Sequence, residues 1–136
     1  MSLIFSASTS LGAPSHTAHF LRPLLFWLDP HMSEETFERC HYFIRKTAHF
    51  VEYSVLGILA WRTLRRDPAF RAYTAAHQLW LALLVAALYA STDEFHQKFV
   101  PSREPSVHDV MLDTCGAAAG LLLICGARRF CVGKPR

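Results

Sequence analysis

The residues able to do chemistry fall into three short blocks. The first holds Arg45, Lys46, His49, Glu52 and Tyr53. On a helix, positions 45, 49 and 52 share one face, as do 46, 49 and 53. The second holds Asp93, Glu94 and Gln97, with Arg103 in the Pro-bounded PSREPS segment that follows. The third holds Asp109 and Asp113, one helical turn apart. A guanidinium fork and an ammonium suit a phosphate or carboxylate, and a helix starting near Asp109 adds backbone donors. Asp93 and Asp109 can orient the cations that face such an anion. Alternatively, Glu94 or His49 can act as a general base while Lys46 and Arg103 stabilise developing charge. The same groups can also form an ion-pair lock that only fixes helix register. Adjacent helical residues point about 100° apart, so Asp93 and Glu94 need not face one site. A metal held by Asp93, His96 and His108 matches no established ligand spacing, so neither a metal nor a cofactor is expected. No nucleophile stands out, and no phosphate loop, dinucleotide fingerprint, nucleophile elbow or zinc-protease motif is present.

Something must bring these blocks together, and the apolar pattern says what. The chain has 136 residues, 51% of them hydrophobic and 18% charged, which excludes disorder, a collagen-like chain and a charged coiled coil. One domain spanning 1–136 is expected. Residues 72–92 contain no Asp, Glu, Lys or Arg, and 110–127 contain only Asp113 before Arg128 and Arg129. Roughly 20 apolar residues cross a bilayer as a helix, so both runs suffice. A third run, 48–64, carries Glu52 and Arg62 and is the least clear. The expected architecture is all-α: a small multi-pass bundle with three membrane helices, preceded by an N-terminal interfacial segment. Ser33 resembles an N-cap with Glu34 and Glu35 in the first turn. A helix from there can run through Phe37, Ile44 and Ala48 into the first membrane run. Asp29-Pro30 breaks the chain before it.

Lys and Arg mark the cytoplasmic side of membrane segments. Arg62, Arg65, Arg66 and Arg71 share one side with Arg128, Arg129, Lys134 and Arg136. The opposite side mixes its cations with many carboxylates, which puts 93–109 and all three blocks at the outer boundary. Intramembrane ionisable groups are functional candidates by default. A net charge of +3, with basic residues not interleaved with aromatics, gives no case for nucleic acid.

Gly116 and Gly120, flanked by Ala117 to Ala119, continue the stripe of Asp109 and Asp113. Such small residues let a second helix approach closely. That helix is expected within the chain, and a homodimer through the Gly116/Gly120 face is the alternative. The four cysteines show no C-x-x-C spacing, so Cys115 and Cys125 are expected as small buried apolar residues.

Three linked blocks carry a family resemblance. R-K-T-A-H-F-V-E-Y at 45–53 is followed by Leu56-Gly57. D-E-F-H-Q-K-F-V-P-S-R stands at 93–103, and D-V-M-L-D-T-C-G-A-A-A-G at 109–120. They resemble the K-x-x-H-x-x-x-Y, D-E-x-x-Q-x-F-x-P-x-R and D-x-x-x-[N/D]-x-x-G-x-x-x-G blocks of the VanZ-like family of bacterial membrane proteins. The match covers about 40–125, and weakly F-S-A-S-T-S-L-G at 5–12. The resemblance implies a multi-pass helical protein of the bacterial cytoplasmic (inner) membrane. The family is named for a protein associated with resistance to the glycopeptide teicoplanin. Motif matching gives Lys46, His49, Tyr53, Asp93, Glu94, Gln97, Arg103 and Asp109 as ligand-binding candidates. Position 113 is Asp where many relatives carry Asn. Relatives have a further membrane helix before the F-S-x-S segment, and only Leu3 to Phe5 can belong to it here. Either the natural chain starts upstream or this member lacks that helix. The expected function is binding of an anionic envelope lipid or glycan group at the outer boundary. An enzyme acting on a lipid-linked phosphate and a purely structural scaffold are the alternatives.

Overall fold

The computed structural model describes residues 14–97, 99 and 106–132, all of whose regular elements are helices. Residues 3–5, the stretch that can belong to a further membrane helix, lie outside the described residues. Helix α1 spans Pro14–Leu28, α2 Glu34–Arg66, α3 Ala75–Gln97 and α4 Val107–Val132, with a 3-10 turn at Pro68–Phe70.

The helix ends follow from local chemistry. Ser33 caps α2, its hydroxyl accepting the Thr36 N–H at 3.2 Å. Glu34 and Glu35 open the helix and Arg65 and Arg66 close it, each with the sign the helix dipole favours. Its 33 residues run without a break, about 50 Å at 1.5 Å per residue. Asp67 ends it in an extended conformation, and the Asp67 carboxylate accepts the Ala69 N–H at 2.9 Å to start the 3-10 turn. Pro68, lacking an N–H, cannot continue the helix. The Thr74 hydroxyl accepts the His77 N–H at 3.3 Å at the entry to α3. Ser106 caps α4 in the same way, accepting from the His108 N–H at 3.2 Å.

The N-terminal segment, expected only as an apolar patch at an interface, is the helix α1. It keeps Pro23 inside it and docks on the start of α2. Arg22 pairs with Glu34 and lies 5.6 Å from the Phe26 and Phe37 ring centroids.

The packing of the other three helices inverts that of a soluble bundle. On α3 and α4 the interior positions are mostly small: Ala82, Ala86 and Ala90 of α3 and Ala117 of α4 are completely buried, against Tyr53, Leu56 and Trp61 of α2. Trp80, Leu84 and Leu88 of α3, and Met111, Leu122 and Leu123 of α4, point outward. A water-soluble domain gains its stability by burying such side chains. Lipid offers no such gain, so helices there associate through close packing of small residues. Two helices, Ala75–Gln97 and the 107–127 stretch of α4, are long and apolar enough to cross a membrane. The third run belongs to α2, whose charged residues keep it below that test, although it packs against both of the other two.

The Gly116/Gly120 stripe is filled by α2. A Cβ at Gly116 would fall inside contact distance of the Phe50 carbonyl oxygen, and one at Gly120 likewise at Ser54. At this close approach the Ser54 hydroxyl reaches the Gly116 carbonyl at 2.7 Å. Cys115 departs from expectation: it is exposed, and Cys125 is only half-buried. The reason is angular, since position 115 lies about 100° around the helix from the packed Gly116.

Candidate functional site

Lys46, His49 and Tyr53 lie on one face of α2, but not at its start. The Ser33 cap begins the helix twelve residues before Lys46, about 18 Å away along the axis. The beginning of α4 and the end of α3 meet that face. Lys46 Nζ forms an ion pair with Asp109, both side chains being partly buried. Its ammonium also lies 5.3 Å from the Tyr42 ring centroid, in cation–π range. One turn deeper, His49 Nδ1 stands 3.8 Å from Asp113 Oδ1. Asp113 is almost fully enclosed, and Tyr53 is fully enclosed, 6.4 Å from the Tyr89 ring.

Asp93, Glu94 and Gln97 are all buried at the end of α3. The Gln97 amide donates to Asp93 Oδ2 at 3.1 Å. Glu94 Oε2 accepts the Ser106 N–H at 2.9 Å. That contact explains how α4 begins. In an ordinary capping box the acidic residue at N3 reaches back to the N-cap N–H. Here N3 is Asp109, and Lys46 holds it, so Glu94 of the neighbouring helix satisfies the donor instead.

Seven of the eight candidate residues therefore gather in one region, spread over about two turns of α2: Lys46, His49, Tyr53, Asp93, Glu94, Gln97 and Asp109. Arg103 lies outside the described residues. Three further residues join them. Asp113 carries the His49 contact, Ser106 receives Glu94, and Ser54 bridges α2 to α4. Ser106 had a legible signal, since Ser-x-x-Asp at 106–109 before an apolar run is the capping-box pattern. Asp113 had one too, a turn beyond Asp109. Ser54 had none, because its role depends on which helix packs beside it.

A groove of about 490 Å³ opens beside this level, between α2 and α4. Tyr42, Phe43 and Phe50 form its apolar wall, and Lys46, His108 and Asp109 its polar edge. Asp93, Glu94, Gln97 and Tyr53 do not line it. The level thus divides into an inner part, where Gln97 donates to Asp93 and Glu94 accepts a backbone N–H, and a groove edge bearing an ammonium. Asp109 takes one of the three donors that the ammonium carries. An anion in the groove has a cation to meet and rings to lie against. Among the described residues, no three or more His, Cys, Asp or Glu side chains converge to hold a metal ion.

The family model described as VanZ/LLP1 matches residues 1–129. No curated protein and no solved structure matches the chain.

Proposed function

The chain belongs to the VanZ/LLP1 family, and on that premise we propose that it is a multi-pass protein of the bacterial inner membrane whose groove binds an anionic group of an envelope lipid or glycan. The observation that carries this reading is Lys46. Its ammonium lies on the edge of an aromatic-walled groove, paired to Asp109 and above Tyr42. An acyl or isoprenoid chain suits the Phe43 and Phe50 wall, and a phosphate or carboxylate suits the ammonium. In this reading α2, α3 and α4 cross the bilayer. The Lys46 level faces the envelope, and the arginines at 62–71 face the cytoplasm, as the distribution of basic residues favours. Ligand capture at that face alters susceptibility to glycopeptides.

The test is Lys46→Gln in the full chain, read as membrane abundance and teicoplanin susceptibility of a bacterial host that depends on the gene. Normal abundance with lost function supports binding at the groove. Normal abundance with full function removes it. Single cysteines at Lys98 and Arg65, probed with a membrane-impermeant thiol reagent, test the orientation: 98 labels in intact cells and 65 only after permeabilisation.

A second reading is favoured by the inner part of the level. Asp93, Glu94 and Gln97 are buried, and their described bonds run to one another and to Ser106. Such a set serves as a structural lock whether or not a ligand binds beside it. If the lock is the whole function, Asp93→Asn, which weakens the bond from Gln97, lowers abundance and function together, and Lys46→Gln leaves both unchanged.

A further inference from the structure

At the other end of the bundle lies a second cavity, of about 690 Å³, where α2, α3 and α4 meet the 3-10 turn. Trp61 and Arg65 of α2, Arg71 after the turn, Gln78 and Leu79 of α3 and Cys125 of α4 line it. Its character is the reverse of the carboxylate-rich level. Four arginines, Arg62, Arg65, Arg66 and Arg71, fall within ten residues, and Asp67 is the lone acidic residue among them. Asp67 is engaged in capping, accepting the Ala69 N–H. Among the described residues, no carboxylate forms a salt bridge with any of the four.

The cavity is built rather than incidental. The Arg65 guanidinium lies 5.0 Å from the centre of the Trp61 ring, which is itself buried. Stacking of this kind restricts the guanidinium and leaves its edge donors for a planar or tetrahedral oxyanion. Gln78, also buried, ties the opposite wall down, its amide donating to the Phe70 carbonyl at 2.9 Å and to that of Tyr73 at 3.3 Å. These bonds hold the segment that carries Arg71 across from Arg65. A concave site thus presents two guanidinium groups, no carboxylate among its described lining residues and an apolar floor of Leu79 and Trp61.

We propose that this cavity is a phosphate site that takes the headgroup of an acidic phospholipid from the leaflet meeting this end of the bundle. Basic pockets between membrane helices suit such headgroups through charge and shape. The Leu79 and Trp61 floor continues toward the outward-facing apolar side chains of α3, where acyl chains lie. The site is separate from the groove at Lys46; it rests on the membrane-crossing arrangement proposed above but not on ligand binding at that groove.

The full chain in neutral detergent, carrying Trp27→Phe and Trp80→Phe, leaves Trp61 as the only tryptophan and reports from the cavity wall. Phosphatidylglycerol, phosphatidylcholine and inorganic phosphate are titrated in turn. Phosphatidylglycerol produces a saturable change in Trp61 fluorescence, and phosphatidylcholine does not. Arg71→Gln, which leaves the Arg65–Trp61 stack intact, weakens the response about fivefold, the effect of one interfacial basic residue. Arg65→Lys, which keeps the charge but loses the planar fork stacked on Trp61, weakens it as well. No response to inorganic phosphate identifies the lipid as the source. An equal response to it overturns the lipid assignment in favour of a soluble phosphate. An equal response to phosphatidylcholine, or an Arg71→Gln titration identical to that of the parent, overturns the site itself.

Discussion

Gly116→Ala tests the claim that backbone contact between α2 and α4 sets the whole arrangement. The new Cβ would overlap the Phe50 carbonyl oxygen and lie 3.1 Å from both the carbonyl carbon and Cα of Phe50. Those are backbone atoms inside a helix, so no rotation relieves the clash and the helices must part. A radial gap of about 0.5–1 Å already forfeits a quarter to a half of the dispersion attraction across the contact. Overpacking of this kind costs about 1–3 kcal/mol. The Ser54–Gly116 hydrogen bond stretches with the same movement, adding about 0.6 kcal/mol, the average for such bonds in a membrane protein. Alanine's better helix propensity returns about 0.8–1 kcal/mol. The net loss is about 1–3 kcal/mol. Gly126→Ala is the control, because a Cβ there meets nothing within 4 Å. Only the propensity gain applies, so it is neutral to about 1 kcal/mol stabilising. The assay is unfolding of the full chain in mixed micelles as the fraction of denaturing detergent rises, followed by tryptophan fluorescence. If the two variants unfold at the same midpoint, backbone contact at Gly116 does not hold these helices together.

Other predictions concern the polar ties. Lys46→Asp and Asp109→Lys singly lower membrane abundance, and the charge-swapped pair restores most of it; a double variant no better than the singles would show that the Lys46–Asp109 pair does not set register. Glu94→Ala leaves the Ser106 N–H unpaired and costs about 1–3 kcal/mol. Glu94→Gln keeps an acceptor and costs less, so equal damage from both in the same unfolding assay would contradict the capping role. Ser106→Ala removes the acceptor for the His108 N–H and costs about 1 kcal/mol by that assay; no loss would mean that the α4 start is held by Glu94 alone. Cys115 reacts with a membrane-permeant maleimide in the native protein faster than Cys125, following their exposure; the reverse order, read by mass spectrometry, would contradict the orientation of α4.

Much of this arrangement was legible in the chain because two kinds of signal agree. The charge-free stretch at 72–92 and the run at 110–127 announce α3 and α4 by length alone, and Ser33 with Glu34 and Glu35 announces the start of α2. The candidate residues converge because their blocks fall where helices meet. What the sequence hid depends on partners. The stripe of Ala82, Ala86 and Ala90 is masked within LWLALLVAALYA, where every residue is apolar and no face stands out until packing chooses one. Cys115 looks like core by composition, yet lipid-facing and buried positions in such a helix accept the same residue types. The exchange at the α4 cap, with Lys46 drawing Asp109 away and Glu94 replacing it, needs three helices at once and has no linear signature. The α1 helix was obscured by Pro23, which reads as a breaker although the helix continues through it.

The long reach of the Lys46–Asp109 pair bears on how the protein is made. The two residues stand 63 positions apart, so α2 leaves the ribosome well before its partner exists. Arg45, Lys46, His49 and Glu52 meanwhile disfavour its entry into lipid, by about 2.5–3.5 kcal/mol for a lysine or arginine at a helix centre. Glu94 and Ser106, by contrast, are twelve positions apart, and α3 and α4 are apolar enough to enter as a hairpin. On the proposed topology with three crossings, the order of synthesis and the order of stable insertion are therefore expected to differ: the first of these three helices to emerge settles last, when the hairpin that neutralises it arrives. A chain halted before residue 106 would leave α2 exposed to membrane proteolysis, and supplying 72–132 as a separate polypeptide would protect it.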